Sequence, residues 1–219
     1  MAQTRPTALT SNGNSMSSDG ARASADTVVL ASGNAGKLRE FEDILKPLGL
    51  ALQPQAKFDV PDVEENGLSF VENALIKARA ASEHSGLPTI ADDSGLEVDA
   101  LKGAPGIHSA RFSGHGDEAN NALLLERLDG VPESKRSARF QCVIVYLRHQ
   151  LDPTPLICQG TWEGFIRLRP SGDNGFGYDP LFQVPTHNCS SAELTKEVKN
   201  RISHRAQAST LLSKALRRS

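Results

Sequence analysis

Asp92 and Asp93 stand side by side after the short apolar run Thr89 Ile90 Ala91 and before Ser94 and Gly95. Two like charges this close are unfavourable without a cation. A strand running into acids also puts them at a sheet edge, where α/β proteins place their ligands. Alternation along the strand sends the two side chains to opposite sides, so at most one easily faces a cleft. Hard carboxylate oxygens suit Mg²⁺, which is commonly held by one or two carboxylates together with substrate phosphates. The alternative for these acids is an Asx turn that caps the next segment. A partner for the cation stands earlier in the chain, at Ser32 Gly33 Asn34 Ala35 Gly36 Lys37. It follows the β-forming run 27–31 and precedes Leu38, Phe41, Ile44, Leu45 and Leu48, which recur at helical spacing, with Gly49 expected just past the helix end. A strand-to-helix turn of this kind aims backbone N–H groups and the positive end of a helix at an anion. Its glycines let the backbone approach a phosphate, and Lys37 adds a mobile positive charge. A P-loop is disfavoured, because only Asn34 and Ala35 separate the glycines and Leu38 follows Lys37.

Three further groups of residues carry chemical potential, each with a bland alternative. Asp59, Asp62, Glu64 and Glu65 crowd one loop that, taken alone, reads as solvated. Asn174 Gly175 Phe176 Gly177 Tyr178 Asp179 Pro180 offers aromatic rings between glycines. A base stacked on such a ring gains about 1–3 kcal/mol, yet rings in a turn are as readily core plugs. Ser203 His204 Arg205 opens the final helix, and cations at that end oppose the helix dipole unless a ligand or an acid compensates. His108 and Arg111 sit in the glycine-rich loop 103–114, open to a ligand, to solvent or to a partner subunit.

The elements that must position these groups follow from periodicity and punctuation. Residues 51–56 form a second extended segment weakened by Pro54. Ser69 and Glu72 make a capping box that opens a helix to about residue 83, closed by Gly86, with Val71, Leu75, Ala78 and Ala81 or Ser82 on its apolar face. Residues 96–101 alternate as a separate, half-exposed strand. A helix runs over 117–128 with Ala119, Ala122, Leu123 and Leu128 inward. Residues 140–147 and 155–168 form a hairpin of strong strands, with Gly160 and Gly164 expected as bulges and Trp162, Cys142 and Cys158 as packing residues. A second capping box at Ser190 and Glu193 leads through Lys196 and Lys199 to the amphipathic C-terminal helix bearing Leu211, Leu212, Ala215 and Leu216.

Composition narrows the function classes. A formal net charge of -2 gives no electrostatic support for nucleic-acid or membrane-surface binding. No apolar run reaches the roughly 20 residues of a membrane helix. The three cysteines include no C-x-x-C pair, so neither a disulfide framework nor a zinc cage is indicated, and a reducing cytoplasm fits. Residues 1–26, rich in Ser, Asn and Gly without an apolar stretch, are expected to be a disordered tail rather than a secretory signal. Residues 27–219 are expected to form one domain.

SGNAGKLRE, the Glu64 Glu65 pair before Gly67, SFVENALIKA, IADDSG, GAPGIHSARFSG, GFGYDP and AELTKEVKN followed by ISHR occur in this order. Together they closely resemble the inosine triphosphate pyrophosphatase family, over essentially Val28 to Leu216. The resemblance implies an elongated α/β fold, a mixed sheet flanked by helices with a substrate cleft between two lobes, and a homodimer. It implies that Ser32, Gly33, Asn34, Ala35, Gly36 and Lys37 hold a triphosphate, and that Glu64 and Asp93 ligate Mg²⁺, Asp93 also accepting the proton of the attacking water. Ser94 would touch the substrate. Phe176, Gly177, Tyr178 and Asp179 would form the base pocket with Phe176 stacked on the purine, completed by Lys199, His204 and Arg205. The implied reaction is hydrolysis of deaminated purine nucleoside triphosphates to monophosphate and pyrophosphate. A pyrophosphatase for other modified nucleotides, a P-loop NTPase and a non-catalytic nucleotide sensor are the competing readings, told apart by base preference, by orthophosphate release and by absence of turnover.

Overall fold

The computed structural model describes residues 27–45 and 49–217. The expected tail over 1–26 and the helical position Leu48 lie outside them. The buried run Thr27–Ala31 is β1, and the turn after it leads into α1, Ala35–Leu45. Then follow β2 (Ala51–Pro54), α2 (Phe70–Ser85), β3 (Thr89–Val98), α3 (Asp117–Arg127), β4 (Ser137–Leu147), β5 (Leu156–Ile166), β6 (Phe182–Val184), β7 (Cys189–Ser190), α4 (Lys196–Ile202) and α5 (His204–Leu216). One seven-stranded sheet has the order β2-β1-β3-β4-β5-β6-β7. β1 lies parallel to both β2 and β3, because a helical crossover carries the chain back before each pairing. From β3 onward every pairing is antiparallel. This is the mixed α/β sheet flanked by helices that the resemblance implies.

Strand alternation sorts the core. Val28, Leu30, Ile90 and Ile144 face α1 and α5, where they meet Phe41, Leu45 and Leu212. Val29, Ala31, Ala91 and Val145 face α2, whose Ala74, Ala78 and Ala81 let the helix lie close to the sheet. Further along the same long strands, Leu96, Val98 and Phe140 join Leu124, Trp162 and Phe182 in a third cluster. One face of β3 therefore reads Ile90, Asp92, Ser94, Leu96, Val98, with the polar pair between two apolar clusters. The apolar face of the strand, not the strand itself, is interrupted there by a polar pair.

The structure corrects several expectations. Residues 89–98 are one continuous strand, so Asp92 and Asp93 lie mid-strand rather than at a strand end. Gly95 does not break it. A Cβ there would run into the carbonyl oxygen of Gly106 and Ser109 Oγ, so the glycine admits the 106–111 loop against the strand. Gly160 and Gly164 are not bulges either, since the β4–β5 register runs without a slip from Ser137 opposite Phe165 to Tyr146 opposite Leu156. They admit the backbone of α5 and of β6. In α3 the buried residues are Asn120 and Leu124, while Ala122 is exposed. The final helix does open at Ser203 His204 Arg205 as expected: Ser203 ends α4 and caps α5 by accepting the Ala206 N–H at 3.2 Å. Leu211 faces outward, and the buried side of α5 carries His204, Arg205 and Leu212. Of the two expected capping boxes, Ser190 pairs reciprocally with Glu193, while Ser69 accepts the Glu72 N–H and the Glu72 carboxylate accepts from the Leu68 N–H and the Ser69 hydroxyl.

Candidate active site

The phosphate-turn residues are shaped by Asn34, whose Oδ1 accepts the N–H groups of Gly36 at 2.9 Å and Lys37 at 3.0 Å and so caps the start of α1. Two amides expected to await an anion are thus already satisfied, leaving the Ser32 hydroxyl, the open backbone at Gly33 and the Lys37 side chain to meet a ligand. Lys37 is not mobile: its Nζ lies 2.9 Å from Asp92 Oδ2. Asp92 is 1% exposed and also accepts from Ser94 Oγ at 3.2 Å. Burial opposes its ionisation, but Lys37, Arg205 and Lys77 outweigh burial and hold its pKa down to about 2.

Asp93 points to the opposite side, as alternation requires. It accepts from Asn73 Nδ2 at 3.2 Å and lies 3.5 Å from Lys77 Nζ. Its pKa is raised, first by burial and then by Glu65 and Asp92, against the opposing pull of Lys77 and Lys37. Asn73 and Lys77 are one helical turn apart on α2, which rests on β3, so one helix face delivers both. Lys77 also reaches Glu65 at 3.3 Å. Its ammonium is buried, which pushes its pKa down, but Asp92, Asp93 and Glu65 raise it.

At the other end of the cleft the 174–179 loop is pinned by its own acid. Asp179 accepts the Phe176 N–H at 2.9 Å, Ser191 Oγ–H at 2.8 Å and Lys199 Nζ at 2.6 Å. The two aromatics separate in function. Tyr178 is a core anchor whose hydroxyl donates to the Ser109 carbonyl at 2.9 Å, whereas Phe176 stays half-buried beside the phosphate turn. A Cβ on Gly36 would come within 2.9 Å of Phe176 Cδ1. Lys199 Nζ and Arg205 Cζ sit 5.1 and 5.8 Å from the Phe176 ring centroid, within cation–π range.

The acid that compensates the cations at the α5 N-terminus is Glu40, one turn past the phosphate turn on α1. It pairs with Arg205 and, at 3.0 Å, with Lys199. Burial works against ionisation of Glu40, but the two cations keep its pKa below the ordinary carboxylate range. His204 stacks on Phe140 with ring centroids 4.8 Å apart, and burial, then Arg205, Lys199 and Lys37, hold its pKa well below the ordinary 6.5. Among the described residues, His204 Nδ1 and Arg205 Nε are buried and have no hydrogen-bond partner. Unpartnered buried polar atoms at a cleft are the groups a ligand would satisfy.

One cavity of about 350 Å³ collects Ser32, Gly33, Asn34, Lys37, Asp93, Ser94, Phe176, Gly177, Tyr178, Asp179, Lys199, His204 and Arg205. Gly36 backs the Phe176 ring, and Ala35 opens α1 beside it. Glu64 is the exception, exposed and outside the lining, while its neighbours Asp62 and Glu65 line the cleft. Arg111 lines it too, and His108 is exposed away from it. Glu40 and Lys77 were missed by sequence reasoning. Lys77 carried a readable signal, since with Asn73 it interrupts the alanine face of α2 at a four-residue spacing; Glu40 resembled any surface glutamate. Around Asp93 the donors are hard carboxylate oxygens, and among the described residues no three His, Cys, Asp or Glu side chains converge on one point. That fits a cation that keeps coordination sites for water and substrate phosphates rather than one caged by protein.

These features define a mixed-sheet α/β protein with a charged cleft of about 350 Å³ between the strand-to-helix turn and an aromatic shelf. The chain belongs to the Ham1 family, whose model matches residues 28–215. A relative from Shigella flexneri, named dITP/XTP pyrophosphatase, is 57% identical over 192 residues, covering 87% of this chain and 98% of that protein. One of the same name from Thioalkalivibrio sulfidiphilus is 55% identical over 191 residues, covering 86% and 97%. Among solved structures, a HAM1 protein from Coxiella burnetii superposes with a TM-score of 0.82 at 49% identity, covering 88% of this chain and 99% of that one. A nucleoside-triphosphatase / dITP/XTP pyrophosphatase from Mycobacterium abscessus gives 0.69 at 41% identity, covering 85% and 97%. Among the described residues no helix is long and apolar enough to cross a membrane.

Proposed function

We propose that the protein hydrolyses the deaminated purine nucleoside triphosphates ITP, dITP and XTP to the nucleoside monophosphate and pyrophosphate. The observation that carries this reading is the meeting of phosphate turn, raised-pKa carboxylate and aromatic shelf in one cavity of about 350 Å³. The names and near-complete coverage of the relatives support it.

Ser32, Gly33 and Lys37 hold the triphosphate, with Lys37 and the α1 N-terminus balancing charge that gathers on the leaving pyrophosphate. Asp93, whose raised pKa makes it the better base of the pair, takes the proton of a water attacking the α-phosphorus in line. Asn73 and Lys77 hold its carboxyl in place. Asp93 and an acid of the neighbouring loop would hold Mg²⁺: Glu65 lines the cleft and shares Lys77 with Asp93, whereas Glu64, the ligand implied by resemblance, is exposed outside the lining and would need the loop to turn. With Mg²⁺ bound, the site gains charge neutralisation on the phosphates and a more acidic water.

Phe176 stacks on the base. Lys199 spends two of its three N–H donors on Glu40 and Asp179, and Arg205 Nε–H is unused. Donors aimed at the base edge favour a 6-oxo group, which accepts, over the 6-amino group of adenine, which donates. The same reading makes the protein a homodimer that clears deaminated purines from the cytoplasmic nucleotide pool. The test is a product assay with Mg²⁺ and ITP, XTP, GTP and ATP in parallel, reading pyrophosphate and orthophosphate separately. Pyrophosphate and monophosphate from ITP or XTP, with GTP and ATP nearly untouched, is the expected outcome. Orthophosphate as the direct product, or equal rates on all four, overturns it.

A further inference from the structure

Gly177, directly after the stacking residue Phe176, has φ +62 and so holds a left-handed conformation. Both of its backbone polar groups are taken by α3. Its N–H donates to Asp117 Oδ2 at 2.7 Å, and its carbonyl accepts from Asn121 Nδ2 at 2.8 Å. Asn121 Nδ2 also donates to the Asp117 carbonyl of its own helix at 2.8 Å, so one amide ties the loop to the first turn of α3. An acid in the first turn ordinarily supports its own helix end, and α3 begins at Gly116 without any side-chain cap, yet Asp117 spends its oxygen on the facing loop. Among the described residues Asn121 Oδ1 is buried without a partner, so the Asp117 and Gly177 carbonyls that Nδ2 reaches decide how the amide is turned. The other flank of the loop is fixed separately, by Asn174 on the Leu194 carbonyl at 3.2 Å and by Asp179 on the Phe176 N–H.

We propose that Asp117 and Asn121 are positioning residues that hold the Phe176 shelf against the phosphate turn by clamping the Gly177 peptide groups. Phe176 has no such clamp on its ring, which rests on Gly36. Releasing Gly177 frees the ring to move relative to the triphosphate site, and a shift of about an ångström in a positioning element can cost two orders of magnitude in rate. The clamp acts on the base half of the cleft alone, because neither residue bonds to the turn that holds the phosphates. The proposal rests on the pyrophosphatase reading for its substrate, and its test is arranged so that the two fail separately.

Asp117→Ala and Asn121→Ala are compared with wild type by ITP kinetics, by inhibition with pyrophosphate and by amide exchange over residues 174–179. Each variant is expected to raise KM for ITP roughly tenfold, the double variant little more because both hold the two peptide groups that flank the same residue, Gly177. Pyrophosphate inhibition stays unchanged, and exchange over 174–179 speeds up. Asp117→Asn, which keeps an acceptor, is expected to restore most of the ITP affinity. Equal loss of ITP and pyrophosphate affinity, an unchanged KM, or unchanged exchange over 174–179 overturns the clamp. A wild-type protein that leaves ITP intact overturns the pyrophosphatase reading instead, and the exchange measurement then still decides whether Asp117 and Asn121 hold the loop.

Discussion

Replacing His204 by Phe should make the protein less sensitive to mild acid, by an amount that follows from burial. The His204 ring is 5% exposed, stacked on Phe140 and Trp162, and flanked by Arg205, Lys199 and Lys37. Its folded pKa lies well below the unfolded value near 6.5. Below that value the unfolded chain binds a proton that the folded chain refuses, so the wild type loses stability as pH falls through 6.5. The loss approaches about 1.4 kcal/mol for each further unit until the folded pKa is reached. Between about pH 7.5 and pH 5.5 it amounts to about 1.4 kcal/mol. Phenylalanine keeps the stack and removes the titration, and all other groups cancel in the difference between the two proteins. Urea unfolding of both, without nucleotide, at the two pH values measures it. Parallel stability profiles would refute the reasoning, because they would mean that the folded protein accepts the proton at His204. A wild type that gains on the variant in acid would go further and place a carboxylate, not the cations, in control of the ring.

Asp93→Asn should abolish ITP turnover while leaving the thermal midpoint nearly unchanged, since the amide can still accept from Asn73; near-normal turnover would remove Asp93 from the chemistry. Glu40→Gln leaves Arg205 and Lys199 buried beside a neutral amide. Breaking buried pairs of this kind costs about 3–5 kcal/mol, and Asp92 and Asp179 retain part of the compensation, so a loss near the lower figure is expected in urea unfolding. A change within about 0.5 kcal/mol would show that Glu40 is not the counter-ion of these cations.

How much of this was legible beforehand depended on whether a residue's partner was local. The capping serines at 69 and 190, the phosphate turn and the α3 boundaries were readable because each depends on neighbours within a turn or two of chain. The separation of 89–91 from 96–101 around Gly95 and the reading of Gly160 and Gly164 as bulges failed for the opposite reason. The small size of these glycines is required by backbone arriving from residues 106, 204–208 and 182–183, and nothing in the flanking sequence announces that approach. Glu40 belongs with them: its partners Lys199 and Arg205 are more than 150 positions away, so only the fold identifies it as the acid that compensates Arg205 at the start of the last helix.

The same distinction explains how the site is built. Asp92 and Asp93 are adjacent, yet β-strand alternation assigns them to different helices: Asp92 to Lys37 of α1 and Arg205 of α5, Asp93 to Asn73 and Lys77 of α2. The first carboxylate is surrounded by cations and kept firmly ionised, so it is a fixed counter-charge for Lys37 and Arg205. The second is buried with fewer compensating charges and beside other acids, so its proton affinity rises. Two identical side chains one peptide bond apart thereby acquire opposite properties, and it is the strand's two-residue period that separates them. Pairing a permanent charge with a proton acceptor in this way needs no special residue, only a continuous strand through the middle of the sheet. That is why the continuity of β3 through Gly95 matters to the chemistry as well as to the fold.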